Sequence, residues 1–73
     1  MKLVIVTPQG SSTIDDVDKV TIPGSEGIFV ALHGHAPLVS VIQGVIRCNQ
    51  QEIAIESGVV EVKDNIITII TER

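Results

Sequence analysis

Two histidines, His33 and His35, are the residues of this chain whose type and spacing come nearest to a metal site. Neutral imidazole is the most common side-chain ligand of transition metals, so a closely spaced pair is a natural candidate. A metal centre held by histidine needs further ligands, however, and the chain contains no third histidine. We therefore assign no metal ligand from the sequence.

The histidine pair follows Gly27 in the pattern G-x5-H-x-H, which is similar to the start of the first metal motif of a cupin, itself an all-β protein. The match then ends, because no glutamate follows within residues 36–40. The chain is also much shorter than a barrel built from two such motifs. A small cupin-like barrel that binds a metal or another ligand is the alternative hypothesis.

The nucleophilic side chains show no catalytic pattern. A catalytic Ser or Cys needs a neighbouring base that a third group orients. No serine lies in a nucleophile elbow, and no glycine-rich phosphate loop with a lysine follows a strand. The acidic cluster at 15–18 is typical of a solvated loop. We predict a non-catalytic protein with no catalytic residue and no cofactor.

Composition and charge exclude several kinds of partner. The net charge is −4 and the five basic residues are scattered, so no cationic patch is available for nucleic acid. The longest apolar runs are a handful of residues, against the roughly 20 that a membrane helix needs, so we expect no direct membrane insertion. Cys48 is the only cysteine and cannot form an internal disulfide. These features indicate a cytosolic protein.

The residues above must be positioned by strands. Aliphatic residues make up most of the 44% hydrophobic content, and Phe29 is the only aromatic, a composition that favours sheet. Alternating patterns separated by turn residues predict strands at 2–7, 17–22, 28–32, 38–42, 44–49, 52–57, 59–63 and 65–71. We predict one all-β domain over residues 1–73, a flattened two-layer antiparallel β-sandwich of about eight to ten short strands.

Three segments depart from simple alternation. Residues 3–6, 38–42 and 66–70 carry aliphatic side chains on both faces, although a sandwich gives each sheet only one inner face. Part of the outer surface must therefore be apolar. Large exposed apolar patches often mark protein interfaces, so this excess suggests a partner.

The segment 23–38, P-G-S-E-G-I-F-V-A-L-H-G-H-A-P-L, brackets a short strand with glycine turns, and we interpret it as a recognition element. It resembles the amino-terminal β-sandwich of the epsilon subunit of F-type ATP synthases. The resemblance covers nearly the whole chain through the opening strand at 2–8, V-D-K-V-T-I-P-G-S-E-G at 17–27, G-H-A-P-L-V-S at 34–40, G-V-I-R at 44–47 and S-G-V-V-E-V at 57–62. The chain departs from the family's usual residues at Val30, Ser57 and Val59.

The resemblance implies a non-catalytic central-stalk subunit that binds the gamma subunit and the polar loops of the membrane c-ring, and so couples ion-driven rotation to ATP synthesis. It implies a peripheral location on the cytoplasmic side of an energy-transducing membrane. Carried over by position, the gamma contacts are Thr7, His35 and Ser40. The c-ring contacts are Gly24, Ser25, Glu26, Gly27 and Ile28.

The family's carboxyl-terminal helical hairpin has no counterpart in the sequence. We therefore expect neither its inhibitory action on ATP hydrolysis nor its nucleotide site. A further alternative to the rotor subunit is an unrelated interaction domain that captures peptides at a sheet edge.

Overall fold

The computed structural model describes residues 1–72 and consists of strands joined by turns and loops. Seven strands form one sheet in the order β2-β1-β7-β6-β5-β3-β4. Neighbouring strands pair antiparallel except β1 and β7, which pair in parallel. The all-β prediction is confirmed. The strands are β1 (Lys2–Thr7), β2 (Gly10–Ile14), β3 (Lys19–Gly24), β4 (Gly27–Leu32), β5 (Leu38–Cys48), β6 (Gln51–Lys63) and β7 (Ile66–Thr71).

Two long strands, β5 and β6, turn this single sheet into two layers. Residues 58–63 of β6 pair with β7, whereas residues 51–55 pair with β5 alone. Residues 44–48 of β5 lie between β6 and β3. The first layer therefore contains β2, β1, β7 and the halves of β6 and β5 at 58–63 and 38–42. The second contains their other halves together with β3 and β4.

A β-bulge marks the place where the long strands pass between layers. Ile42 pairs with Gly58, but two residues later Gly44 pairs with Ile55, so β6 contains one extra residue at Glu56 or Ser57. The extra residue reverses the alternation of the strand. As a result, Ile55 and Val60 both face the core although their positions differ in parity. The segments predicted as four short strands are therefore two continuous ones, so the eight predicted strands become six, and β2, which was not predicted, brings the number to seven.

Strand β2 is absent from the sequence prediction. Its residues G-S-S-T-I include four small or polar side chains, and all but Ile14 are exposed. Such a segment offers no apolar alternation to detect. It pairs with β1 in register from Leu3 to Thr7 and so forms one edge of the sheet.

The core lies between the two layers and is aliphatic. Burying one valine, leucine or isoleucine side chain contributes about 1.5–3 kcal/mol, so this interface is the main source of stability. Phe29 packs at its margin. The buried residues are Leu3, Ile5, Val17, Val20, Ile22, Ala31, Ile42, Ile46, Cys48, Ile55, Val60, Val62, Ile67 and Ile69.

Close packing at the bulge predicts the effect of Gly58→Ala. A Cβ at Gly58 would lie 2.7 Å from the carbonyl oxygen of Ile70, which belongs to the backbone of β7. Because this strand cannot move without disturbing its own pairing, we expect the free energy of unfolding to fall by about 1–3 kcal/mol in urea titrations. Ser57→Ala, at the exposed neighbouring position, is the control and should change it by less than about 0.5 kcal/mol. Equal stability of the two variants would contradict this packing.

Candidate interaction surface

One row of aliphatic side chains crosses the outer face of the first layer. Val41 pairs with Val59, Val59 with Ile70, and Ile70 with Val6, so the four lie side by side on adjacent strands. Val41 is 59% exposed, Val59 40% and Ile70 53%, while Val6 is half-buried. We call these four residues the apolar row. The outward apolar surface expected from the sequence is therefore present and contiguous.

The next register row on the same face is mixed in character. It runs from Val39 through Glu61 and Thr68 to Val4. Val39 is 67% exposed, so it extends the apolar surface at the β5 side. Glu61 places a charge near the centre of this row. The face thus has an apolar strip with a polar border.

The outer face of the second layer differs in its charges. Its aliphatic residues on β4, such as Ile28 and Val30, are exposed, as is Val45 on β5. The face also carries Arg47 and Glu52, whose Nε and Oε2 atoms lie 3.9 Å apart. This face therefore combines exposed aliphatic side chains, Leu32 among them, with an ion pair.

The predicted c-ring contact is a tight turn between β3 and β4. Gly24 pairs with Gly27, leaving Ser25 and Glu26 exposed at the tip. The next residue, Ile28, is 75% exposed. Ser25 N donates to the carbonyl oxygen of Val41 at 3.0 Å, so the turn is tied to one end of the apolar row. The structure brings together all five residues predicted for this contact.

The predicted gamma contacts are not clustered. Thr7 Oγ1 donates to Gly10 O at 3.1 Å and accepts from Gln9 N at 3.2 Å, which shapes the β1–β2 turn. The hydroxyl of Ser40 donates to Val41 O at 3.0 Å. Thr7 on β1 and Ser40 on β5 are separated by β7 and β6. Three strand spacings of about 4.8 Å place them about 14 Å apart or more.

Phe29 connects His35 to the β3–β4 turn, a role that sequence analysis missed. The ring centroids of Phe29 and His35 lie 6.2 Å apart. The same phenyl ring covers Gly24, where a Cβ would lie 3.1 Å from Phe29 Cε1. The sequence did single out Phe29, because it is the only aromatic residue of the chain, but its partners could not be read from the pattern. It links one predicted gamma contact to the predicted c-ring contact.

The two histidines are in different environments. His33 is exposed, whereas His35 is half-buried and its Nδ1 donates to Ala36 O at 2.6 Å. Residues 1–72 contain no group of three or more His, Cys, Asp or Glu side chains that could hold a metal ion. In the acidic cluster, Asp15 Oδ1 lies 3.8 Å from Lys2 Nζ.

Cys48 is part of the core. Its side chain is buried between the layers, and this burial raises the pKa of its thiol. The thiolate is the reactive form of cysteine. Burial and a raised pKa together make Cys48 a packing residue.

The raised pKa gives a pH-dependent contribution to stability. In the unfolded chain the thiol ionises near its ordinary pKa of about 8.5. The folded state favours the neutral thiol, so its stabilising effect is complete below that pH and is lost as pH rises through the folded pKa. We expect the stability difference between the wild-type chain and Cys48→Ala in urea to shrink from pH 7 to pH 10. A difference independent of pH would contradict this assignment.

The fold and these surfaces define a β-sandwich domain that presents an apolar row and an adjacent exposed turn. Residues 1–73 match the family described as ATP synthase, Delta/Epsilon chain, beta-sandwich domain. The chain therefore belongs to this family, and the resemblance found in its sequence is confirmed.

Curated relatives agree with this assignment. The chain is 36% identical to the ATP synthase epsilon chain of Leptospira interrogans serovar Lai, with 100% of this chain covered. It is 46% identical to the ATP synthase epsilon chain of Sulfurovum sp. (strain NBC37-1), with 99% covered. In both comparisons the chain spans 61% of the relative's length.

Two solved structures share the fold. One is the central stalk and c-ring of the Tetrahymena thermophila mitochondrial ATP synthase, with a TM-score of 0.83 and 19% identity, covering 100% of this chain and 63% of that one. The other is the OSCP/F1/c-ring assembly of the Euglena gracilis enzyme, with a TM-score of 0.81 and 22% identity, covering 97% and 49%.

Proposed function

We propose that this chain is a non-catalytic rotor subunit of an F-type ATP synthase. It binds the gamma subunit through the apolar row and contacts the polar loops of the c-ring through the β3–β4 turn. In this way it couples ion-driven rotation to ATP synthesis. The observation that carries the proposal is the apolar row itself, four aliphatic side chains in register on an outer face.

Hydrophobic burial supports a protein partner for the apolar row. Covering apolar surface contributes roughly 25 cal/mol per Å². The row spans four neighbouring strands, and Val39 enlarges it at one side. The face as a whole therefore offers a continuous surface that a second protein of matching shape can cover.

Two of the proposed gamma contacts are neighbours in sequence of the ends of the apolar row. Thr7 directly follows Val6, and Ser40 directly precedes Val41. Val6 and Val41 are the two ends of the apolar row. Because successive residues of a strand point to opposite faces, the side chains of Thr7 and Ser40 point to the face opposite the apolar row, and their contact with gamma rests on the family resemblance. His35 joins the interface from the loop between β4 and β5.

The turn of Gly24, Ser25, Glu26 and Gly27 with Ile28 offers a different chemistry. The Ser25 hydroxyl and the Glu26 carboxylate are exposed acceptors for arginine or amide groups of a polar loop. Because Ser25 N donates to Val41 O, the c-ring contact begins where the gamma contact ends. One small domain can therefore join the two partners.

The proposal includes a peripheral position on the cytoplasmic side of the energy-transducing membrane. No helix within residues 1–72 is long and apolar enough to cross a membrane. The relatives extend beyond the part that this chain matches. The sandwich itself is proposed to have no nucleotide site and no inhibitory action.

A charge placed in the apolar row tests the gamma contact. Val59→Lys should weaken binding to purified gamma subunit at least about tenfold in calorimetric titration. The reason is that covering the row would remove water from the charged lysine ammonium group, which costs free energy. Val45→Lys is the matched control, since Val45 is 43% exposed on the other outer face and Val59 is 40% exposed. The control should bind as the wild type does. Equal losses in both variants, or none, would argue against this interface.

Charge reversal in the turn tests the c-ring contact. In a reconstituted complex, Glu26→Lys should lower ATP-driven ion pumping while the unfolding temperature of the isolated chain stays within about 2 °C, since exposed turn residues contribute little to stability. Asp18→Lys makes the same charge change at an exposed site before β3 and serves as control. Pumping unchanged by Glu26→Lys would remove the turn from the proposal.

A further inference from the structure

The loop at 33–37 crosses from β4 in the second layer to β5 in the first and carries both histidines. Two contacts hold it on the side of the second layer. His35 N donates to Leu32 O at 3.0 Å, and the His35 ring packs beside Phe29. A third contact anchors the loop from the first layer, where the loop ends.

Asn65 provides that anchor from the turn between β6 and β7. Its side-chain Oδ1 accepts a hydrogen bond of 2.7 Å from Gly34 N. Its backbone carbonyl accepts a second, of 3.0 Å, from Lys2 N. Asn65 thus ties together the loop, its own turn and the start of β1. Gly34 and Asn65 are 31 positions apart, so the contact is tertiary.

The turn geometry alone does not require the side chain of Asn65. Asp64 and Asn65 have φ values of 53° and 62° and join Lys63 to Ile66 as a two-residue hairpin. Glycine adopts these angles at least as readily as asparagine. The amide oxygen of Asn65 therefore stabilises the loop, because it binds Gly34, the residue next to His35.

We propose that Asn65 is a positioning residue for partner binding: it fixes Gly34 and thereby presents His35 to the gamma subunit. The inference rests on the proposed function, in which His35 contacts gamma. Without the anchor, the loop gains conformational freedom that must be lost again on binding, and this weakens the complex.

Three variants separate the side chain from the turn. Asn65→Gly keeps the positive φ and removes the acceptor, whereas Asn65→Asp keeps an acceptor at the same place. Asp64→Gly changes the neighbouring residue of the same hairpin and is the control. By NMR, exchange of the Gly34 amide should be faster in Asn65→Gly and unchanged in the other two variants. Unchanged exchange in Asn65→Gly would overturn the anchoring role.

Binding to purified gamma subunit provides the decisive measurement. We expect Asn65→Gly to raise the dissociation constant about three- to tenfold, the range for loss of one hydrogen bond, with Asn65→Asp and Asp64→Gly close to the wild type. In a double-mutant cycle with His35→Ala, Asn65→Gly should add no further loss, because it acts through His35.

The outcomes of the binding experiment are distinct. A wild-type chain that does not bind gamma overturns the proposed function and this inference with it. A wild-type chain that binds, with Asn65→Gly binding equally well, overturns the inference alone. Losses that add in the cycle also overturn it, because they show an effect of Asn65 that bypasses His35. The inference is supported if Asn65→Gly weakens gamma binding, if Asn65→Asp binds as the wild type does, and if Asn65→Gly causes no further loss of binding when His35 is already alanine.

Discussion

The extra residue of β6 between Ile55 and Gly58 is the constraint on which the rest of the structure depends. In a strand, a shift of one residue exchanges the inner and outer faces. The bulge makes that exchange where β6 passes from one layer to the other. Ile55 and Val60 can then both enter the core, and Val59 faces outward to complete the apolar row. Core packing and the apolar row are therefore set by the same local feature.

Sequence patterns predicted much of this fold and its apolar exterior. Alternation identified most strands, and the aliphatic excess in residues 3–6, 38–42 and 66–70 indicated an apolar exterior. Strand β2 was not predicted, because its residues are mostly polar and its pairing with β1 is made by backbone groups. The continuity of β5 and β6 was not predicted, because the prediction interrupted β5 at Gln43 beside Gly44 and β6 at Gly58, and glycine is a typical turn residue; here both glycines lie within the bulged pair.

The contacts that organise the site were harder to foresee. The five residues proposed for the c-ring contact are consecutive, so the resembling segment was sufficient to predict that they lie together in one turn. Phe29 and Asn65 act through contacts with residues that lie elsewhere in the chain. Such contacts depend on how the layers stack, and no spacing rule reveals them. The contacts of Phe29 and Asn65 join surfaces with different chemistry in one domain, whose proposed function is to bind two partners.

Methyl NMR of the chain during titration with purified gamma subunit tests the central claim most directly. We expect the largest shift changes at the methyl groups of the apolar row, Val6, Ile70, Val59 and Val41, with those of Val30 and Val45 on the opposite outer face unaffected. Changes centred on the face of Val30 and Val45, or no changes at saturating gamma subunit, would contradict the assignment of the apolar row as the gamma-binding surface.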